Sequence, residues 1–277
     1  MDFDKAAQKL KEKGNTHFQR KEYLQAIKNY QEGFTYTNDS DPFFKTNIAL
    51  CYIKMMKYEQ AIQECKIAIK LSPKFVKAYY LLGDAYLHSM QYDDAEKAFL
   101  KAEVLAKELH NTSSSMLLSI YKGIDQSRAR KYEKQEQERQ HVVIEMKKFV
   151  EKLMNTHEKL VVLSDSEREE FNLKQFQLES FFDQSIHPTK ELEVPEMLCC
   201  KITFTIMRDP VVTPSGVSYE RSAILKHLKD NGLFDPVTRK PLTPEQLYPN
   251  LTLKEIIDDW IRKYPYTITE DHYYSID

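Results

Sequence analysis

The chain has 277 residues, which is enough for one large or two modest domains with a real hydrophobic core. Forty Lys and Arg against 42 Asp and Glu leave a formal net charge of -2, which argues against a nucleic-acid or membrane partner bound by bulk electrostatic attraction. The N-terminus is charged from Asp2 onward and no apolar run approaches ~18 residues, so we expect neither a signal peptide nor a membrane span.

Four cysteines, Cys51, Cys65, Cys199 and Cys200, include no Cys-x-x-Cys spacing. We therefore expect no disulfide framework, no zinc or other metal and no cofactor, and we predict a cytoplasmic or nuclear location.

The eleven prolines are unevenly distributed. Pro42 and Pro73 are the two that precede residue 188, and the other nine lie between Pro188 and Pro265. The architecture is therefore predicted to change near residue 188. We predict repeats over residues 5–110, a long helix and helical hairpin over 111–187, a compact proline-rich domain over 195–265, and a tail over 266–277.

Small residues recur through the first third of the chain in steps of 35 and 34, at Gly14, Ala49 and Gly83, at Ala26, Ala61 and Ala95, and at Gly33, Ala68 and Ala102. One period in three columns indicates a helical repeat. The third unit, Tyr79-x-x-Leu82-Gly83-x-x-Tyr86 with Ala95-x-x-x-Phe99, resembles the tetratricopeptide (TPR) family. The resemblance implies three helix pairs stacked into a superhelix with a concave groove.

Four polar residues are expected to face that groove: Lys11, Asn15, Asn47 and Lys77. They match the two-carboxylate clamp of TPR domains that bind chaperone tails, in which ammonium and amide groups grip a C-terminal Asp. The resemblance implies heat-shock chaperones of the 70- and 90-kDa classes as partners. Leu81 and Asp84 depart from the clamp pattern on the same helix. The alternative is that the four residues are ordinary solvated positions.

A long helix is predicted from Ser113 to about Leu163, because the segment contains neither proline nor a turn cluster. Residues 125–140 are almost free of apolar side chains, so we expect them to be solvated. A capping box at Ser164–Glu167 predicts a second helix. Both helices carry apolar residues, among them Met146, Phe149, Leu153, Phe171 and Phe176. These residues pack either against a second subunit, giving a homodimer, or within the chain.

The proline-rich region is predicted to fold as loop, hairpin, helix, loop and helix. The pattern of residues 210–219 predicts a β-hairpin, and that of Ser222 to Lys229 predicts a helix. A capping box at Thr252–Glu255 predicts the start of the last helix. The stretches VPEMLCCKITFTIMRDPVVTPSGVSYERSAILKHL, FDPVTRKPLT and LYPNLTLKEIIDDW resemble the U-box family. The resemblance implies a small α+β domain similar to a RING domain without zinc, in a chain that is otherwise mainly α.

U-box domains are ubiquitin-protein ligase modules that bind a ubiquitin-conjugating enzyme carrying ubiquitin as a thioester. The resemblance implies five contact residues on this surface, Ile202, Phe204, His227, Pro236 and Arg239. Arg239 matches the cation that bridges the conjugating enzyme and ubiquitin, a task suited to a planar guanidinium. No covalent ubiquitin intermediate on this chain is expected, since the domain positions the thioester rather than attacking it.

A TPR domain followed by a U-box resembles the chaperone-associated ubiquitin ligases. The resemblance implies that ubiquitin is transferred to lysines of misfolded clients or of the chaperone, and that the protein is a homodimer. The alternative is a non-catalytic co-chaperone adaptor with a structural U-box. The chain ends Ser275-Ile276-Asp277, and we expect these terminal carboxylates either to compete for the clamp or to lie in a disordered tail.

Overall fold

The computed structural model describes residues 3–109, 113–186 and 192–267. They form two compact units, one comprising the residues up to Lys131 together with those from Ile261 onward, the other residues 132–260. Within the described ranges, no helix is both long enough and apolar enough to cross a membrane. The expected tail at Ser275–Asp277 lies outside the described residues.

The first unit begins with three helix pairs, as the repeat predicts. They are α1 (Phe3–Gln19) with α2 (Tyr23–Tyr36), α3 (Pro42–Lys54) with α4 (Tyr58–Leu71), and α5 (Val76–His88) with α6 (Tyr92–Leu109). The mainly α fold class is confirmed.

Aromatic rings of one helix pack against small residues of the helix before it. A Cβ added at Gly14 would lie 2.4 Å from the Tyr30 ring, and one added at Gly83 would lie 2.8 Å from the Phe99 ring. Both distances are far below van der Waals contact, so any larger side chain would separate the paired helices. The recurring small and aromatic columns are therefore the packing surface of the repeats, which leaves other positions free for binding.

The long helix α7 runs over Ser114–Leu160. Its first turns belong to the core of the first unit, where Ile120 and Ile124 pack with Phe99. The expectation that residues 125–140 are solvated throughout is wrong at the start, since Asp125 and Ser127 are buried. A helix that continues the third repeat must bury one face whatever its composition, and on that face the Ser127 hydroxyl donates to the Gly123 carbonyl at 2.7 Å.

In the second unit, α7 and α8 (Asp165–Ile186) form the predicted hairpin. The Glu167 carboxylate accepts hydrogen bonds from the Ser164 backbone N–H (2.9 Å) and hydroxyl (2.6 Å) at the predicted helix start. Lys147 donates to Asp183 across the two helices at 2.8 Å. Large apolar side chains nevertheless stay exposed on both helices, among them Val142, Met146, Phe149, Leu153, Leu173, Phe176 and Phe181.

The proline-rich region contains a three-stranded antiparallel sheet of order β2-β1-β3, with β1 at Pro210–Val212, β2 at Ser218–Glu220 and β3 at Tyr248–Pro249. Helix α9 (Arg221–Asp230) follows β2 in the chain, and helix α10 (Leu251–Lys263) follows β3. The hairpin and both helices were predicted, but β3 was not, because two residues containing a proline carry no strand periodicity.

The predicted cap of α10 is also corrected. The Asn250 side chain accepts from the Leu253 N–H at 3.1 Å, and the helix begins at Leu251. Asn is as good a helix cap as Thr, so the capping box at Thr252–Glu255 was a competing pattern that the fold does not use.

Candidate functional sites

Two loops of the second unit have the same backbone hydrogen bonds. Loop one, residues 199–206, is closed by a bridge between Cys199 and Ile206. Within it the Phe204 N–H donates to the Cys200 carbonyl at 2.8 Å, and the Cys200 N–H donates to the Thr205 carbonyl at 2.8 Å. Loop one is therefore a tight, doubly bonded turn rather than an open segment.

Loop two, residues 234–241, is closed by a bridge between Phe234 and Pro241. The Arg239 N–H donates to the Asp235 carbonyl and the Asp235 N–H to the Lys240 carbonyl, each at 2.8 Å. The two loops also share a left-handed residue at the same place, Phe204 with φ 58° and Arg239 with φ 60°. A non-glycine residue in this conformation needs strong support from its surroundings, which the paired bonds supply.

One side chain anchors the inside of each loop. In loop one the buried Cys200 thiol accepts from the N–H groups of Ile202 (3.4 Å) and Glu220 (3.3 Å). In loop two the buried Asp235 carboxylate accepts from the N–H groups of Val237 (2.9 Å) and Thr238 (3.0 Å). Each anchor holds its loop in shape by hydrogen bonds, which is the task that a structural metal ion performs in a zinc-bound loop.

Asp235 also connects loop two to the sheet. Its second set of donors consists of side chains, with Tyr219 at 2.8 Å, Ser215 at 2.7 Å and Thr213 at 3.2 Å. Burial raises the pKa of Asp235, but the hydrogen bonds outweigh it and hold that pKa well below its usual range. The carboxylate is therefore ionised at neutral pH and loop two is fixed to a buried charge.

The segment between loop one and β1 is fixed by two acidic side chains. The Glu220 carboxylate accepts from the N–H groups of Arg208 (2.6 Å) and Asp209 (3.1 Å), although burial raises the pKa of Glu220. Asp209 in turn pairs with the Arg221 guanidinium at 2.7 Å. These contacts hold the segment before β1 in place, and they involve none of the five residues predicted to contact the conjugating enzyme.

The structure places the five predicted surface residues on or beside these loops. Phe204 is 78% exposed at the turn of loop one and Ile202 is half-buried beneath it. Arg239 is exposed on loop two, with its guanidinium 5.1 Å from the centre of the Phe234 ring, and Pro236 is half-buried. An exposed aromatic and an exposed cation on rigid loops are suited to protein recognition.

His227 has a supporting position. It lies on α9 with Nε2 3.1 Å from the Phe234 carbonyl oxygen, and its ring meets the Phe234 ring edge-on at 4.9 Å. His227 and Arg239 are thus brought together through Phe234. The histidine connects α9 to the base of loop two.

The first unit brings the predicted clamp residues onto neighbouring helices. The Lys77 ammonium donates to the Asn47 side-chain oxygen at 3.0 Å, joining α5 to α3. The Lys11 ammonium lies 5.0 Å from the centre of the Phe43 ring, a cation–π contact between α1 and α3. Burial lowers the pKa of Lys77, and the nearby positive charge of Lys11 lowers it further. Two ammonium groups that repel each other favour a bound carboxylate.

Asn15 has a fixed orientation. The Tyr30 hydroxyl donates to its side-chain oxygen at 2.7 Å, so the amide NH₂ is left as the group that can donate to a ligand. Leu81, by contrast, is buried in the core with Ala49 and Ile53. The position at which the clamp pattern is broken therefore carries an apolar side chain that packs between repeats.

Known protein families match both the repeat region and the proline-rich region. Residues 194–264 match the U-box domain family, and residues 52–88 and 76–107 match tetratricopeptide repeat families. The E3 ubiquitin-protein ligase CHIP of Arabidopsis thaliana is 34% identical over 263 residues, which are 93% of this chain and 94% of that protein. The chain belongs to the CHIP family of E3 ubiquitin-protein ligases.

Other similarities cover one region each. U-box domain-containing protein 54 of Arabidopsis thaliana is 46% identical over 66 residues, 24% of this chain and 21% of that protein. The TPR2B domain of yeast Sti1, solved as a complex with pHsp70, is 25% identical and covers 44% of this chain and 95% of that domain, with a TM-score of 0.41. As a member of the CHIP family, the chain is a ubiquitin ligase whose U-box has ubiquitin-conjugating enzymes as partners.

Sequence reasoning missed the residues that build the CHIP-family loops, namely Cys200, Tyr219, Glu220 and Asp235, and the residue that orients Asn15, which is Tyr30. One signal was available. Loop one reads Cys-Lys-Ile-Thr-Phe-Thr from Cys200 and loop two reads Asp-Pro-Val-Thr-Arg-Lys from Asp235, with an aliphatic residue and a threonine at the same offsets. Aligning the U-box with itself would have paired the two loops.

Proposed function

We propose that this chain ubiquitinates proteins that reach it through a chaperone, with the TPR groove holding the chaperone's acidic C-terminal tail and the U-box positioning the charged conjugating enzyme. The observation that carries the proposal is the joint presence of two prepared surfaces: the clamp joined by the Lys77–Asn47 hydrogen bond, and the loop pair that exposes Phe204 and Arg239. Neither surface alone accounts for both recognition and transfer.

The groove has the chemistry of a dicarboxylate receptor. A C-terminal Asp presents a side-chain and a main-chain carboxylate, which match the ammonium groups of Lys11 and Lys77. The amide of Asn15, oriented by Tyr30, and the Asn47 side chain supply neutral polar partners at the same place. Chaperones of the 70- and 90-kDa classes with acidic tails are the proposed ligands.

Transfer is proposed to occur without a covalent ubiquitin intermediate on this chain. Cys51, Cys65 and Cys200 are buried and Cys199 is half-buried. Burial raises the pKa of the Cys51 thiol to about 12 and that of Cys199 above its usual value, which disfavours the nucleophilic thiolate. The substrate lysine would then attack the thioester directly, while Phe204 and its neighbours hold the conjugating enzyme and Arg239 restrains the ubiquitin.

The exposed apolar side chains of α7 and α8 support the proposal of a homodimer. Phe149 is 61% and Phe176 is 69% exposed, on two helices that already pack on each other through Lys147 and Asp183. An apolar surface of this kind on a hairpin is typically covered, and a second copy of the hairpin offers a matching surface.

A reconstituted ligation reaction tests the proposal. The substrate is a lysine-containing protein that carries a C-terminal Glu-Glu-Val-Asp extension, compared with the same protein lacking the terminal Asp. We expect the full chain to ubiquitinate the first substrate at least ~10-fold faster, because the clamp requires both carboxylates.

Three variants separate the two surfaces. Lys77→Ala should abolish the preference for the extended substrate and keep autoubiquitination, Pro236→Ala should abolish both reactions, and Lys97→Ala on the outer helix α6 should change neither. Binding of the extension with no ubiquitin transfer under any condition would identify the chain as an adaptor and overturn the ligase part of the proposal.

A further inference from the structure

A partly buried carboxyl group lies on the same helix as a clamp lysine. Asp84 follows Lys77 by seven residues on α5, and Lys54 follows Asn47 by seven residues on α3. Because Lys77 donates to Asn47, the two helices are in register at that point. Seven residues are about two helical turns, so Asp84 and Lys54 come to neighbouring positions ~10 Å further along the same groove.

The charges around Asp84 agree with this placement. Its side chain is 25% exposed and lies 3.3 Å from the ring Nδ1 of His88, whose ring stacks on Tyr58. Burial raises the pKa of Asp84, while His88 and Lys54 act against that rise and favour the carboxylate form. Asp84 is therefore a partly buried acidic side chain with two basic groups, His88 and Lys54, close enough to act on its charge.

The groove extends from the clamp in the direction of Asp84. Lys77 is the second residue of α5, which runs over Val76–His88, so the length of groove formed by α3 and α5 lies toward His88. A peptide held by its terminal Asp and extended along this groove rises ~3.3 Å per residue. Its third residue before the terminal Asp would then lie ~10 Å away, beside Asp84.

We infer that Asp84 is a specificity residue of the groove, which disfavours an acidic side chain at the third residue before the terminal Asp and favours a neutral or basic one. Two effects act together: Asp84 repels the acidic side chain directly, and its charge offsets that of Lys54, the cation that would otherwise attract that side chain. This inference rests on the proposed tail-binding function and deepens it by ranking the tails that the groove binds according to their third residue before the terminal Asp.

Three peptides test the inference. They end in X-Glu-Val-Asp, are otherwise identical, and carry Glu, Gln or Lys at X. Affinities are measured by fluorescence anisotropy with the full chain. We expect the Gln peptide to bind the wild-type chain about 3- to 10-fold more tightly than the Glu peptide, with the Lys peptide at least as tight as the Gln peptide.

Two variants with the same change in charge complete the test. Asp84→Asn should bring the ratio of the Glu and Gln affinities close to one, whereas Asp94→Asn on the outer helix α6 should keep the wild-type ratio. Equal binding of all three peptides by the wild-type chain, or a ratio that Asp84→Asn leaves unchanged, would overturn the role of Asp84 while leaving tail binding intact. Failure of every peptide to bind would overturn the proposed tail binding, and this inference with it.

Discussion

The Tyr219 hydroxyl donates a 2.8 Å hydrogen bond to Oδ1 of Asp235, and both residues are buried. Tyr219 lies at the centre of β2, where it pairs with Val211, so this bond joins the sheet to loop two. Because the same oxygen accepts the N–H groups of Val237 and Thr238, the position of Arg239 depends on a side chain twenty residues earlier in the chain. The geometry of the conjugating-enzyme surface is thus set from inside the domain.

Replacing Tyr219 with Phe is expected to destabilise the U-box by about 1–3 kcal/mol, because Asp235 loses one donor while remaining buried and charged. Trp260, the single tryptophan of the chain, lies on α10 and reports unfolding of this region by fluorescence. Tyr248→Phe on β3 is the matched control, since Tyr248 is largely exposed, and it should change the stability by less than about 0.5 kcal/mol. Equal midpoints for wild type and Tyr219→Phe in urea would contradict the argument.

The stability of the U-box should depend on the charge of Asp235. The folded-state pKa of this group lies below its unfolded value of about 3.9, so ionisation stabilises the fold above that value and the stabilisation is lost as the pH falls toward the folded pKa. Asp235→Asn does not titrate. We expect the difference in free energy of unfolding between wild type and variant to be largest above about pH 5 and to shrink below about pH 4.

The measurement is urea unfolding followed by Trp260 fluorescence at a series of pH values. Asp94→Asn on α6 serves as the control for a general effect of removing a carboxylate. A difference between wild type and Asp235→Asn that stays constant from pH 7 to pH 3 would show that the charge of Asp235 does not stabilise the loop.

Elements with a repeating pattern were predictable from the sequence. The period of 34 or 35 residues located six helices, and the Ser164–Glu167 capping box located the start of α8. The errors fall where tertiary packing decides the outcome. Asp125 is buried because α7 continues the stack of repeats, and Asn250 rather than Thr252 caps α10 because the chain leaves β3 at that residue.

The candidate sites were predictable in part. A motif match supplied the exposed residues Phe204 and Arg239, but periodicity gives no information about which buried side chain supports them. Cys200 and Asp235 differ in chemistry and yet perform the same task in the two loops, so neither residue type suggests the other. The position of Asp84 near Lys54 depends on the register of α3 and α5, which the clamp contact defines and the sequence alone does not.

Phe204 and Arg239 should have separable effects on ubiquitin transfer. Phe204→Ala removes an exposed apolar contact and is expected to weaken binding of the conjugating enzyme by about 10-fold or more. Arg239→Ala should leave that binding within about 2-fold and slow discharge of the ubiquitin thioester to free lysine by at least about 10-fold, since its effect is on the reactive pose.

Lys240→Ala removes a cation one residue away and should leave both steps near wild type. Arg239→Lys should recover part of the discharge rate, because it restores the charge without the planar set of donors. Loss of binding and discharge in the same proportion in Arg239→Ala would contradict a separate restraining role.

Tyr30 should affect the groove through Asn15. Tyr30→Phe keeps the ring that packs on Gly14 but removes the hydroxyl that holds the Asn15 oxygen. With the amide free to rotate, we expect the affinity for a peptide ending in Glu-Glu-Val-Asp to fall about 3- to 10-fold, the size of one hydrogen bond. Tyr92→Phe on α6 is the control and should bind as wild type does.

The role of Tyr30 in positioning Asn15 predicts a second result. In an Asn15→Ala background the Tyr30→Phe change should have no further effect on peptide affinity, since the group that it orients is gone. Additive losses in the double variant would show that Tyr30 acts on the peptide by another route.

The helical hairpin should determine the oligomeric state. Phe149→Glu and Phe176→Glu together place two charges on the exposed apolar surface of α7 and α8, where pairing with a second copy would bury them at a cost of several kcal/mol. We expect the wild-type chain to have the mass of a dimer by light scattering and the double variant to have that of a monomer. Leu24→Glu, an exposed apolar position on α2, should remain dimeric.

A chain truncated after residue 186 tests whether the hairpin is sufficient. It retains both helices of the hairpin and should still dimerise, more weakly if U-box contacts also contribute. A wild-type chain that is monomeric at all concentrations, with the double variant unchanged in mass and in helix content by circular dichroism, would show that the apolar surface of the hairpin does not pair with a second copy and that the homodimer does not form.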